Sequence, residues 1–104
     1  MNQDLTVNGD RLWARHVAMA AFGAAPAGGC NRQALTDEDR DGRNQFIQWC
    51  EAAGCTIRID AIGNIFARRA GSDEALAPVI TGSHLDTQPS GGKYDGILGV
   101  LAGL

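Results

Sequence analysis

His84, Asp86 and Asp95 are the residues of this chain whose types and spacing could carry chemistry. They lie in P-V-I-T-G-S-H-L-D-T-Q-P-S-G-G-K-Y-D-G-I-L-G-V-L-A-G-L, residues 78–104, where an apolar run leads into G-S-H-L-D, a Pro/Ser/Gly loop follows, and Asp95 opens a second apolar run. Residues two apart in a strand point to the same side, so a strand through this stretch sets the Asp86 carboxylate beside the His84 ring. A carboxylate that accepts the proton of one imidazole nitrogen fixes the tautomer and frees the other nitrogen for a metal. Asp95, eleven residues after His84, returns across the loop as a hard oxygen ligand able to bridge two cations. This donor set suits zinc, at ligand distances of about 2.0 to 2.2 Å, with manganese, cobalt or nickel as alternatives. Two plainer readings stand beside this one: a local His–Asp hydrogen bond, and an Asp95 that merely caps a helix and complements its dipole.

Delivery of these groups requires a strand, a sharp loop and a helix in succession. The β-branched run within Ala77 to Ser83 reads as the strand, and Pro89, Ser90, Gly91 and Gly92 as the turn. The apolar residues from Gly96 to Leu104 read as a buried helix, in which Gly99 and Gly103 mark close packing against a sheet. Open α/β sheets gather ligands at the carboxyl ends of their strands, which is where His84 and Asp86 fall. Gly91-Gly92-Lys93 is followed by Tyr94 and lacks the phosphate-loop pattern.

Upstream, a helix is expected from Asn8 to about Phe22, capped by Asn8 or Asp10. It carries His16, a weak ligand candidate by position. Ala24 to Asn31 reads as a Gly/Pro/Ala loop. Thr36-Asp37-Glu38-Asp39 approximates a capping box, opening a helix to about Ala53 that stops at Gly54. Phe46, Ile47, Cys50 and Ala53 share one face of it, with Arg40, Arg43, Asn44 and Gln48 largely outside. The acids Asp37, Glu38, Asp39 and Asp41 read as a capped, solvated helix start. Thr56–Asp60 and Asn64–Arg69 read as a hairpin turning through Ala61-Ile62-Gly63-Asn64.

T-G-S-H-L-D-T-Q-P-S-G-G-K-Y-D-G-I-L-G-V-L-A-G-L closely resembles the metal-binding segment of the dimetal amidohydrolases that include N-carbamoyl-L-amino-acid hydrolases, β-ureidopropionases and allantoate amidohydrolases, relatives of aminoacylases and carboxypeptidases. The resemblance extends through V-N-G-D-R-L-W, G-G-C-N-R-Q-A-L-T-D-E-D-R and D-A-I-G-N-I-F-A-R-R, nearly the whole chain. It implies that His84 is a terminal ligand of one metal, that Asp95 bridges two divalent ions, zinc first, and that the catalytic residue Asp86 orients and polarises His84. It further implies an α/β fold, the N-terminal part of the catalytic α/β/α sandwich of a zinc-dependent exopeptidase-like enzyme. Residues 1–104 would form that part alone, and the chain is expected to be truncated. The general base, an adjacent acidic ligand, two histidines and a dimerisation domain would lie beyond it, so the chain by itself is expected to be inactive. A small ureido or carbamoyl substrate, a homodimer and a cytoplasmic location are the accompanying expectations. A noncatalytic remnant or weak metal-binding module, and a peptidase or aminoacylase acting on amides, are the alternatives.

Composition narrows the field. A chain of 104 residues, 44% hydrophobic, suits one small unit or part of a larger one. A net charge of -3 gives no electrostatic reason to expect nucleic acid or an anionic membrane. Asp4, Asn8 and Asp10 interrupt any signal sequence, and Gly96 to Leu104 is far short of the roughly 20 residues that span a bilayer. Cys30, Cys50 and Cys55 lack Cys-x-x-Cys spacing and read as reduced packing residues.

Overall fold

Side-chain caps set the helix starts. In the computed structural model, which describes residues 4–104, α1 spans Gly9–Ala20 and α2 spans Asp37–Ala52. Asn8 Oδ1 accepts from Arg11 N at 3.0 Å, so Asn8 rather than Asp10 is the cap of α1. Thr36 Oγ1 accepts from Asp39 N at 3.2 Å. Asp39 reaches back to Leu35 N at 3.1 Å, one residue beyond the partner that a standard capping box uses. At the other end of α2, Gly54 N donates to Glu51 O and Cys55 N to Cys50 O, the pair of bonds of a Schellman stop. Arg40 and Asn44 lie outside, while Phe46, Ile47 and Ala53 are half-buried and Cys50 is buried, as the face pattern requires. Arg43 is half-buried because its Nη2 donates to Gly63 O at 2.6 Å, tying α2 to the hairpin turn.

The hairpin follows its expected course. β1 (Thr56–Ile59) pairs antiparallel with β2 (Ile65–Arg68), with Thr56 opposite Arg68 and Ile59 opposite Ile65. Asp60 organises the turn, its Oδ1 accepting from Ile62 N at 3.1 Å and from Asn64 N at 2.8 Å. These bonds hold the Asp60 carboxyl below the usual carboxylate range, led by its bond with the Asn64 side chain.

The third expected strand is not formed. Ala77 to Ser83 make no ladder, and the sheet of the described residues has two strands only, β1 and β2. A strand exists through hydrogen bonds to a neighbour, and nothing in this part of the chain lies alongside to supply them. Val79 and Ile80 are accordingly exposed. The chain is thus a mixed helix and strand α/β unit, with the layers of the expected sandwich only partly represented. The last helix, α3 (Ile97–Gly103), packs its glycines on this unpaired segment: a Cβ on Gly99 would come within 2.8 Å of Ser83 Cβ, and one on Gly103 within 2.7 Å of Thr81 Cγ2. Close packing at these glycines was expected, although the partner is a single segment and not a sheet.

The core is small. Met19 of α1 and Ile97 and Leu101 of α3 are buried, with Leu12, Phe22, Phe46, Trp49 and Leu85 packed around them. Arg15 lies over the Trp49 ring at 5.7 Å. Arg32, in the connection from α1 to α2, is fully buried. Its Nη1 donates to Met19 O at 3.0 Å and Phe22 O at 2.6 Å, capping the C-terminal end of α1 from outside the helix. Its Nε donates to Leu85 O at 2.9 Å. Met19 O also accepts from Phe22 N at 3.1 Å, but a carbonyl such as Phe22 O or Leu85 O left without a donor costs about 1 to 3 kcal/mol, so Arg32 joins α1 to the 85–87 segment strongly.

His16 is buried in α1 and meets Tyr94 edge-on, ring centroids 5.4 Å apart, while Tyr94 stacks on Trp13 at 6.2 Å. Neither ring nitrogen of His16 has a hydrogen-bond partner among the described residues, and desolvation lowers its pKa from the ordinary 6.5. The folded state therefore resists a proton that the unfolded chain accepts, and the stability from neutral His16 is present above the unfolded value and lost as pH falls through the lowered folded one. The urea midpoint of the intact protein is expected to fall between about pH 7 and about pH 5.5, with a smaller fall in His16→Leu. Equal slopes in the two proteins would contradict this burial.

Candidate metal centre

His84 is positioned from behind by Asp86 and from the side by α3. Its Nδ1 lies 2.9 Å from the Asp86 carbonyl oxygen and 3.3 Å from Asp86 Oδ1. The sequence pointed to the carboxylate as its partner, and the structure adds the backbone carbonyl as the nearer acceptor. Both groups accept, which places the proton on Nδ1 and leaves the Nε2 lone pair free. Nε2 faces Asp95 Oδ2 at 4.0 Å, and the side chains of His84 and Asp95 are 51% and 81% exposed, so the pair opens to solvent.

Asp95 does not cap α3. The cap position is Gly96, with no side-chain hydrogen bond to the helix start, so the capping part of the plainer reading of Asp95 does not hold, while its charge still lies near the positive end of α3. Gly96 has a φ of 77°, a left-handed conformation that favours glycine. A Cβ there would also clash with His84 Cε1, Nδ1 and Nε2. Glycine at 96 thus both turns the chain and admits the imidazole.

The donor types suit a divalent ion. The gap of 4.0 Å between Nε2 and Oδ2 is just inside the combined length of two metal bonds of about 2.0 to 2.2 Å and wider than the roughly 3.4 Å that a tetrahedral angle spans, so the two side chains would draw together on an ion. No group of three His, Cys, Asp or Glu side chains converges among the described residues, so any remaining ligands come from other sources. His16, the weak ligand candidate, belongs to the aromatic contact with Tyr94. Asp37, Glu38 and Asp41 form the solvated helix start that was expected, Asp37 and Asp41 pairing with Arg40 at 3.3 Å and 3.0 Å, whereas Asp39 is buried because its carboxylate turns back to Leu35 N. The three cysteines are free, and burial pushes the Cys50 thiol up to about 11, away from reactivity.

Loop 24–31 runs against the turn that precedes Asp95. Cys30 N donates to Gly91 O at 2.9 Å and Gly91 N to Cys30 O at 2.8 Å, fastening the Gly-Gly turn that returns Asp95. Sequence reasoning missed Arg32, Thr87 and Tyr94 as supports of the site. The only signal for them was their place inside the family-like stretches, since nothing local to each residue announces its distant partner.

No protein-family profile matches the chain. It is 55% identical over 98 residues to an N-carbamoyl-L-amino-acid amidohydrolase from Rhizobium meliloti, covering 94% of this chain and 24% of that protein. It is 38% identical over 86 residues to an allantoate amidohydrolase from Bacillus subtilis, covering 83% of this chain and 21% of that protein. The crystal structure of a hydantoinase/carbamoylase family amidase from Burkholderia ambifaria matches it with a TM-score of 0.93 at 57% identity, over 97% of this chain and 25% of that one. The chain therefore spans about a quarter of the length of the relatives it matches.

In the intact protein, Gly96→Ala is expected to weaken divalent metal binding by about tenfold or more, the scale for displaced support of a ligand. Gly92→Ala, where an added Cβ meets nothing within 4 Å, should leave binding unchanged. Chelator competition reads both, and equal affinities would contradict the close approach of His84 to Gly96.

Proposed function

The chain belongs to the family of N-carbamoyl-L-amino-acid amidohydrolases and their allantoate-hydrolysing relatives, and on that premise we propose that the intact protein is a metal-dependent hydrolase of the C–N bond in N-carbamoyl or ureido amino acids. The observation that carries this reading is the pairing of a free His84 Nε2 with an uncapped Asp95 carboxylate 4.0 Å away. An amide carbon resists attack by neutral water, and two divalent ions bound here would supply Lewis acidity toward the substrate carbonyl and the attacking water. His84 would hold one ion through Nε2. Asp95, with two oxygens and no competing bond to the helix, would serve both. Asp86 keeps the proton on His84 Nδ1 and raises the basicity of the opposite nitrogen. Zinc suits these donors best, with manganese, cobalt and nickel also compatible.

The names of the relatives support the substrate class. Such a substrate is a small carboxylate bearing a neutral ureido group, and the His84–Asp95 pair is open to solvent. Asp95→Asn in the intact protein is expected to lower metal content and to cut ammonia release from N-carbamoyl amino acids by at least about a hundredfold. Retention of both metal and turnover would refute the assignment. Faster release of amine from N-acyl amino acids than of ammonia from ureido substrates would move the activity to the aminoacylase type, with the same ligands.

A further inference from the structure

His84 and Asp86 alternate with Leu85 and Thr87, and the two intervening residues are held by one buried arginine. We propose that Arg32 and Thr87 form a positioning clamp that fixes the backbone on either side of Asp86, so that His84 presents Nε2 to a metal. The clamp rests on the reading of His84 and Asp95 as ligands.

Arg32 contacts this stretch at both intervening positions. Its side-chain Nε donates to Leu85 O at 2.9 Å. Its backbone N donates to Thr87 Oγ1 at 2.7 Å, and its backbone O accepts from Thr87 N at 2.7 Å. The Thr87 hydroxyl has one proton, with Gln88 O at 2.9 Å and Cys30 O at 3.2 Å within its reach. Arg32 also grips Met19 O and Phe22 O at the end of α1, so the stretch is tied to a helix and not to a free loop. His84 and Asp86 lie on one side, Nδ1 3.3 Å from Oδ1, so holding the backbone at Leu85 and Thr87 fixes the chain from which both side chains project.

The chemistry of the anchor argues for a role beyond filling space. Arg32 is fully buried, pairs with no carboxylate among the described residues, and has no hydrogen-bond partner for Nη2 among them. An apolar side chain would fill the same volume without that desolvation cost, but it could not donate to three carbonyls in fixed directions. Retaining the guanidinium makes sense where the direction of the backbone matters. Arg32 touches no reacting group and is a positioning residue.

The test uses the intact protein and compares Arg32→Lys and Thr87→Val with Ile57→Ala, a substitution in β1 outside the core cluster that Leu85 joins. Zinc affinity is measured by chelator competition well below the unfolding temperature, alongside the unfolding midpoint. Both clamp variants should bind zinc about ten- to a hundredfold more weakly, the scale seen when supports of metal ligands are removed, while Ile57→Ala binds like the unaltered protein even if its midpoint falls further. Should Arg32→Lys fail to fold, Thr87→Val decides the matter. Unchanged affinity in the folded clamp variants, or losses that simply track the midpoint in all three, would overturn the clamp alone. Absence of zinc binding in the unaltered protein would overturn the ligand reading and the clamp with it.

Discussion

A guanidinium has five donors and no acceptor, so it can be buried only where oxygens converge on it. Arg32 imposes that demand on this fold. It draws the carbonyls of Met19, Phe22 and Leu85 to one place, and by doing so brings the end of α1 against the segment that holds His84 and Asp86. The C-terminal end of a helix carries partial negative charge, which makes it a natural partner for a cation with no carboxylate beside it. The apolar contacts of Met19, Ile97 and Leu101 close the same space from the other side. Packing and polar satisfaction thus converge on one point behind the site.

The site face follows from a second constraint, the close approach of backbone to ring. Gly96 turns in a left-handed conformation and leaves room for His84, so Asp95 stands at the mouth of α3 without capping it. A carboxylate that neither caps a helix nor pairs with a lysine or arginine is available for a cation. The Trp13–Tyr94 stack and the contact of Tyr94 with His16 hold the residue before Asp95 against α1. Both sides of the candidate site therefore lean on the same helix, one through Arg32 and one through Tyr94.

Local signals were legible in the sequence. Asn8, Thr36 and Gly54 marked helix limits because capping uses near neighbours, and Gly63 with Asn64 marked the hairpin for the same reason. The His84, Asp86 and Asp95 constellation was visible from spacing and from the family-like motif around it. What the sequence could not show depends on distant partners. Ala77 to Ser83 has strand composition but no ladder, since pairing is a property of two segments. Arg32 looked like one more loop residue, because its bonds to Leu85 and Thr87 cross more than fifty positions. The freedom of Asp95 from capping was also hidden, as it turns on the backbone angle of the next residue.

The most direct measurement is a crystal structure of the intact protein grown with zinc, with anomalous diffraction recorded on either side of the zinc absorption edge. The account predicts a zinc peak within about 2.0 to 2.2 Å of both His84 Nε2 and an Asp95 carboxylate oxygen, with His84 Nδ1 still turned to Asp86. Zinc bound elsewhere, or a site in which His84 and Asp95 take no part, would contradict it.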